Sequence, residues 1–216
     1  MPTRGWMKLC ATSILVCSGT RLLSDLFQSP ENATPLTPEE MRALIPAHIA
    51  FRSELNEAEQ ENIARAQDWA LGRRRDLLSE KFAKNLHRRM FGDVWRWAGK
   101  FRMSERNLGI AYYEIPAALR QLLDDARAWI EYKSYPPDEI AVRFHHRLVQ
   151  IHAFPNGNGR HSRLMADLLV MSLGGERFSW GSANLQDAGA VRQRYIEALH
   201  AADNHDIGRL LAFSRS

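Results

Sequence analysis

The chain predicts a mainly α-helical fold with one small β element, and three features of the sequence carry that expectation. Apolar residues recur at helical spacing through most of the chain, as in Phe82, Leu86, Met90 and Val94. Capping residues and breakers stand at the ends of those patterns: Thr37-Pro38 with Glu40 three residues on, Gly72, Gly99, and Pro136-Pro137. No run of alternating residues long enough for a Rossmann-like sheet and no internal repeat is present.

The elements follow in order. TPEEMRALI, from Thr37, reads as a capped helix that Pro46 ends. SELNEAEQENIARAQDWAL, 53–71, reads as a long helix, with Ser53 as its cap, Leu55, Ala58, Ile63 and Ala66 on a broad face, and Gly72 as its stop. SEKFAKNLHRRMFGDVW, 79–95, is a second amphipathic helix. Residues 100–114 alternate polar and aromatic around Gly109 and suit a small hairpin or an ordered loop. IPAALRQLLDDARAWIEYK, 115–133, and DEIAVRFHHRLVQIHAF, 138–154, are helical, and the second runs straight into HAFPNGNGRHSR. RHSRLMADLLVMSLG follows as a helix, and a last one spans about 188–211.

With 216 residues and 45% hydrophobic content, the chain fits one compact domain, 35–213, behind an extension and linker over 1–34. LCATSILVC, 9–17, follows two basic residues but is too short to span a bilayer, and it reads as a weak signal core, a buried helix or a loose extension. The only cysteines, Cys10 and Cys17, leave no disulfide framework and no thiolate zinc site, which suits a cytoplasmic protein. The net charge is +4, and Arg4, Lys8 and Arg21 place +3 of it in the first 24 residues. The remaining chain is nearly neutral, which argues against a nucleic-acid footprint.

HAFPNGNGRHSR, 152–163, carries the chemistry. A helix that ends near His152 and another that begins near Gly159 or Arg160 leave Gly157 and Gly159 between them. Backbone N–H groups at the new helix start form an anion nest. Arg160 and Arg163 oppose the helix dipole there unless an anion joins them. His152 at the mouth suits proton abstraction near neutral pH. Asn156 offers a neutral oxygen to a divalent metal, and Asn158 either ties the loop or donates to a phosphate. An ordinary turn with a structural histidine is the competing reading, and the absence of a Lys-Ser/Thr pair excludes a Walker loop. His145, His146 and His152 lack an acid that would complete a zinc set. His87 and His146 read as bridges between packed helices, Trp95 and Trp97 as core, and Arg102 as either a substrate contact or a surface residue.

The motif resembles that of the Fic (filamentation induced by cAMP) family, His-x-Phe-x-(Asp/Glu)-Gly-Asn-Gly-Arg-x-x-Arg, at His152, Phe154, Gly157, Asn158, Gly159, Arg160 and Arg163. LHRRMFGDVWRWAGKFR, 86–102, and RQRYIEALHAADNHDIGRLLAF, 192–213, are similar to its flanking helices, and the whole is closest to the group called mobile mystery protein B. The resemblance implies a Fic-type helical bundle with a β-hairpin flap at about 103–113. It also implies transfer of AMP from ATP to a Ser, Thr or Tyr hydroxyl of a target protein. His152 would be the base, Gly157, Asn158 and Gly159 the anion hole, and Arg160 and Arg163 the phosphate ligands. Mg2+, or Mn2+ in its place, would bridge phosphates. Asn156 replaces the acid that holds this metal in the family. SELNE, 53–57, resembles the inhibitory pattern (Ser/Thr)-x-x-x-Glu through Ser53 and Glu57, which implies a Glu57–Arg163 brake. The same fold admits transfer of UMP, phosphocholine or phosphate, removal of AMP, or nucleotide sensing without catalysis. A homodimer is compatible with the helical surface, and no membrane association is expected.

Overall fold

The computed structural model describes residues 35–181 and 188–216. The expectations for residues 1–34, Cys10 and Cys17 among them, lie outside the described residues. Eight α-helices are described: α1 Pro38–Met41, α2 Arg52–Leu71, α3 Glu80–Phe91, α4 Ile115–Glu131, α5 Pro137–Ile151, α6 Asn158–Ser172, α7 Ala188–Asp203 and α8 Ile207–Ser214. A 3-10 turn, Tyr112–Glu114, leads into α4.

The helix ends follow local chemistry. Thr37 caps α1 reciprocally: its N–H donates to Glu40 Oε2 at 2.8 Å, and Glu40 N–H donates to Thr37 Oγ1 at 3.2 Å. The expected Ser53 cap is not used. Arg52 is already helical, and the Glu54 carboxylate takes the N–H groups of Ala50 at 2.8 Å and Phe51 at 3.1 Å. Gly72 ends α2 as anticipated. The single closing helix expected over 188–211 is two helices, because Asn204–Asp206 turn the chain and the Asp206 side chain accepts Gly208 N–H at 3.2 Å.

At the centre, α5 and α6 pack against each other, with Ile140, Val142, Phe144, Leu148 and Ile151 facing Leu164, Met165, Leu168, Leu169 and Val170 in a closed core. Around that pair α4 covers α5, α7 and α8 close the far side, and α2 packs on α3. From His161 to Val170 α6 is buried nearly all round, its polar His161, Ser162 and Asp167 included. Its one buried acid, Asp167, is matched by Arg177 Nε at 2.9 Å and Trp180 Nε1 at 2.8 Å.

The expected β-hairpin flap is not there. Among the described residues no strand forms, and the only β-type pairing is an isolated antiparallel bridge between Leu44 and Trp95. Residues 103–111 make an irregular loop, for a reason visible at Arg102, which is 1% exposed. Its Nη1 donates to Ser104 O at 2.9 Å and its Nη2 to Ile110 O, while its Nε donates to His152 O at 2.7 Å. Carbonyls that a hairpin would pair across the two arms instead turn inward onto one guanidinium. Gly109 completes the loop at φ +97°, where an added Cβ would lie 2.5 Å from His152 Cβ.

Candidate active site

The 152–163 stretch runs from the end of α5 into the second turn of α6. His152 caps α5 in the left-handed region, at φ 51° and ψ 56°. A non-glycine residue pays for that conformation only where its surroundings impose it. Here they do: Arg102 Nε holds the His152 carbonyl, and Arg102 N–H donates to Ala153 O at 3.0 Å. Burial, with the Arg102 and Arg106 charges adding to it, lowers the His152 pKa to about 4. The imidazole is therefore neutral at pH 7 and has a lone pair to accept a proton.

The loop beyond is locked from three sides. Asn158 closes a ring on Phe154, with Phe154 N–H donating to Oδ1 at 2.9 Å and Nδ2 donating to Phe154 O at 2.7 Å. Of the two roles open to Asn158, the side chain therefore takes the loop-tying one, and its backbone N–H stays at the helix start. Gly157 is the N-cap at φ +79°, and an added Cβ would lie 2.5 Å from the Phe91 ring. From α3, buried His87 accepts Gly99 N–H on Nδ1 at 3.0 Å, and its Nε2 lies 3.0 Å from Asn156 O. The first contact fixes Nε2 as the protonated nitrogen, so His87 donates to the loop as a neutral ring. It stacks on Phe154 with centroids 3.7 Å apart. The bridging role expected for His87 is thus found, but its partner is the motif loop itself.

The geometry at the helix start suits an anion. α6 leaves the N–H groups of Asn158, Gly159 and Arg160 without an intrahelical acceptor and adds the positive end of its dipole. Arg163, one turn in, lies over the Tyr195 ring at 5.3 Å. Tyr195 also approaches Gly159, with its hydroxyl 3.9 Å from where a Gly159 Cβ would stand. Arg160 lies over Phe91 at 4.8 Å, and its Nη1 pairs with Glu59 Oε2 at 2.7 Å.

That last pair differs from the Glu57–Arg163 contact that the resemblance implies. Glu57 and Ser53 are exposed on α2, and Glu57 makes no ion pair with Arg163. The carboxylate that reaches the motif from α2 is Glu59, half a turn on. It is 4% exposed and is held by Trp95 Nε1 at 2.7 Å on its other oxygen. Its sequence signal was a charged residue on the buried stripe shared with Leu55, Asn62 and Ala66. Arg102, left open between surface and substrate, is the buried anchor of both the loop and His152.

The donors at Asn156 make a poor metal site. Its Oδ1 already accepts Gly157 N–H at 2.5 Å, and among the described residues no group of three His, Cys, Asp or Glu side chains is placed to hold an ion.

The fold and this motif have relatives. Residues 77–170 match the Fic/DOC family. The chain is 30% identical over 142 residues to the protein adenylyltransferase Fic of Aedes aegypti, covering 64% of this chain and 27% of that protein. It is 30% identical over 132 residues to the Nematostella vectensis protein of the same name, covering 59% and 29%. The chain thus spans little more than a quarter of the length of these curated relatives. Among solved structures it resembles the BepC protein of Bartonella tribocorum with bound AMPPNP, with a TM-score of 0.63, 16% identity, and coverage of 83% of this chain and 97% of that one. It also resembles Fic-1 of C. elegans, with a TM-score of 0.56, 22% identity, and coverage of 81% and 51%. These likenesses are of fold. The family match covers the helices that build the 152–163 loop.

Proposed function

We propose that the protein transfers AMP from ATP to a hydroxyl of a target protein, with His152 as general base. The observation that carries this reading is a neutral imidazole, on a residue whose backbone carbonyl Arg102 holds, directly ahead of a helix start that collects three backbone N–H groups and two arginines. In the reaction His152 takes the proton of the target Ser, Thr or Tyr hydroxyl. The hydroxyl oxygen forms a bond to the α-phosphorus, and the bond from that phosphorus to the bridging oxygen breaks, releasing pyrophosphate. The backbone N–H groups of Asn158 and Gly159, in the bend that Gly157 permits, offset charge on the phosphate oxygens. Arg160 and Arg163 hold the outer phosphates. A pKa of about 4 is low for a base, but Arg102 and Arg106 contribute to it, and incoming phosphate charge opposes them. The fit to Mg2+ or Mn2+ is poor, because Asn156 brings no charge and its oxygen is engaged, so no step is routed through a metal held by the protein.

Glu59 stands on Arg160 and so competes with the phosphate for that guanidinium. On this proposal Glu59, through its contact with Arg160, is the residue that restrains activity, in the place the resemblance gives to Glu57. The test is incubation with ATP labelled at the α-phosphate. Label should rise in Glu59→Gln relative to wild type, stay at the wild-type level in Glu57→Gln, and vanish in Glu59→Gln combined with His152→Ala. Equal label with and without His152 would end the base assignment. Absence of label in all variants, with ATP bound and label arriving from UTP or another donor, would assign the fold a different transferred group.

A further inference from the structure

Away from the 152–163 loop, a cavity of about 510 Å³ opens between α2 and α3. None of its lining residues belongs to that loop. Arg65, Arg88 and Arg89 line it with the amides of Asn62 and Asn85, and its single acid is Asp93. That acid is already neutralised by Arg65, 2.6 Å away. Among the described residues the Arg88 side chain has no ion pair or hydrogen bond, and Arg89 has the Trp69 ring beneath it, at 4.3 Å. A ring beneath a guanidinium fixes its plane and leaves its N–H edge to face the cavity. The lining is rich in donors and carries a net charge of +2, from three arginines against one carboxylate. The volume falls in the range of small-ligand sites, roughly 300–1,000 Å³.

From these features we infer that the α2–α3 cavity binds a small polyanion, such as a metabolite carrying two or more phosphate groups, through Arg88 and Arg89. Nucleic acid is disfavoured because the positive charge is local, while residues 25–216 together carry only +1. The chain's own first 24 residues are themselves basic and do not complement the cavity. The site has a place in the molecule that matters. Asn62 follows Glu59 by three residues on α2, so one wall of the cavity is the helix that presents Glu59 to Arg160. An occupant would therefore bear on the helix that presents Glu59, a consequence that rests on the function proposed above, whereas binding itself does not.

Inorganic tripolyphosphate is a suitable probe, titrated into the full chain while the Trp69 indole and the Asn62 and Asn85 side-chain amides are followed by NMR. Arg163→Ala serves as a background that weakens anion binding at the motif. Saturable shifts at these three residues should appear in wild type and persist in Arg163→Ala. The dissociation constant should rise roughly ten-fold or more in Arg88→Gln/Arg89→Gln. Unchanged shifts in that double variant, or shifts confined to residues 152–163 and lost in Arg163→Ala, would overturn the inference. A thermal melt of the double variant within a few degrees of wild type separates lost binding from lost fold. AMP labelling plays no part in this readout, so failure of one proposal leaves the other standing.

Discussion

Acidification should unfold this protein through three histidines that the core holds neutral. His87, His145 and His161 are each 1% exposed or less. Burial is the leading cause in all three. It holds the His87 pKa well below the ordinary value, and lowers His145 to about 3 and His161 to about 4. Their contacts oppose protonation too: His87 Nδ1 already accepts Gly99 N–H, and His145 lies close enough to Arg163 to be repelled by it. With folded pKa values depressed, the unfolded chain takes up protons first as pH falls. Stability is thus fully present above the unfolded pKa of 6.5 and is lost as pH drops from there toward about 4. At pH 5.5 an unfolded histidine is about nine-tenths protonated while the buried His145 and His161 rings are not, a difference of about 1.4 kcal/mol each and about 3 kcal/mol for the two, with His87 acting in the same direction. Asp167 works in the opposite direction, because burial raises its pKa, and it reduces the loss only toward the acid end of this window. Urea unfolding at pH 7.5, 6.5 and 5.5 measures the loss. Carbon shifts of the histidine rings in the folded protein test its origin, since His145 and His161 should stay neutral to below pH 5 and His87 should titrate well below its ordinary value. A stability loss under about 1 kcal/mol by pH 5.5, or a buried ring titrating near 6.5, would refute the reasoning.

Other substitutions probe the frame around His152. Arg102→Lys keeps the charge but cannot reach three carbonyls at once. It should speed hydrogen exchange across 103–111 and lower kcat more than it raises KM, by about ten-fold or more. Gly157→Ala meets both a left-handed φ and the Phe91 ring, so denaturant melts should show a loss of roughly 2–4 kcal/mol. Asn156→Asp restores a charge beside the motif. It should tighten Mn2+ binding to the protein–ATP complex by about ten-fold in an electron-paramagnetic-resonance titration, whereas Asn156→Ala should leave the wild-type value nearly unchanged.

The parts of the fold that were legible are those set by neighbours in sequence. Thr37-Pro38 with Glu40, the fourfold apolar spacing of α3, and the Gly72 stop each act within one or two turns, and each appears where local chemistry puts it. The turn at 152–163 was legible for the same reason: Gly157, Asn158 and Gly159 between two helical patterns allow few other conformations. The hairpin over 103–113 failed because alternation and a glycine describe a segment in isolation. Whether its carbonyls pair with each other or with something else was decided by Arg102, whose side chain also reaches His152, 50 residues away.

The Glu57–Arg163 contact is likewise not found, and the reason shows where a buried charge hides from motif matching. A Ser followed four residues later by Glu is common on any helix, and both residues turn out to face solvent. Glu59 matched no pattern, yet it stands on the stripe of Leu55, Asn62 and Ala66 that the helix must bury. A carboxylate on such a stripe costs several kcal/mol unless it is paired. The fold therefore has to supply a cation and a donor, which are Arg160 and the Trp95 indole. Arg102 follows the same logic with the sign reversed, as a buried cation satisfied by carbonyls. Charged residues on faces the apolar pattern marks for burial are thus better guides to this site than charged residues at motif spacing, because burial demands a partner and spacing does not.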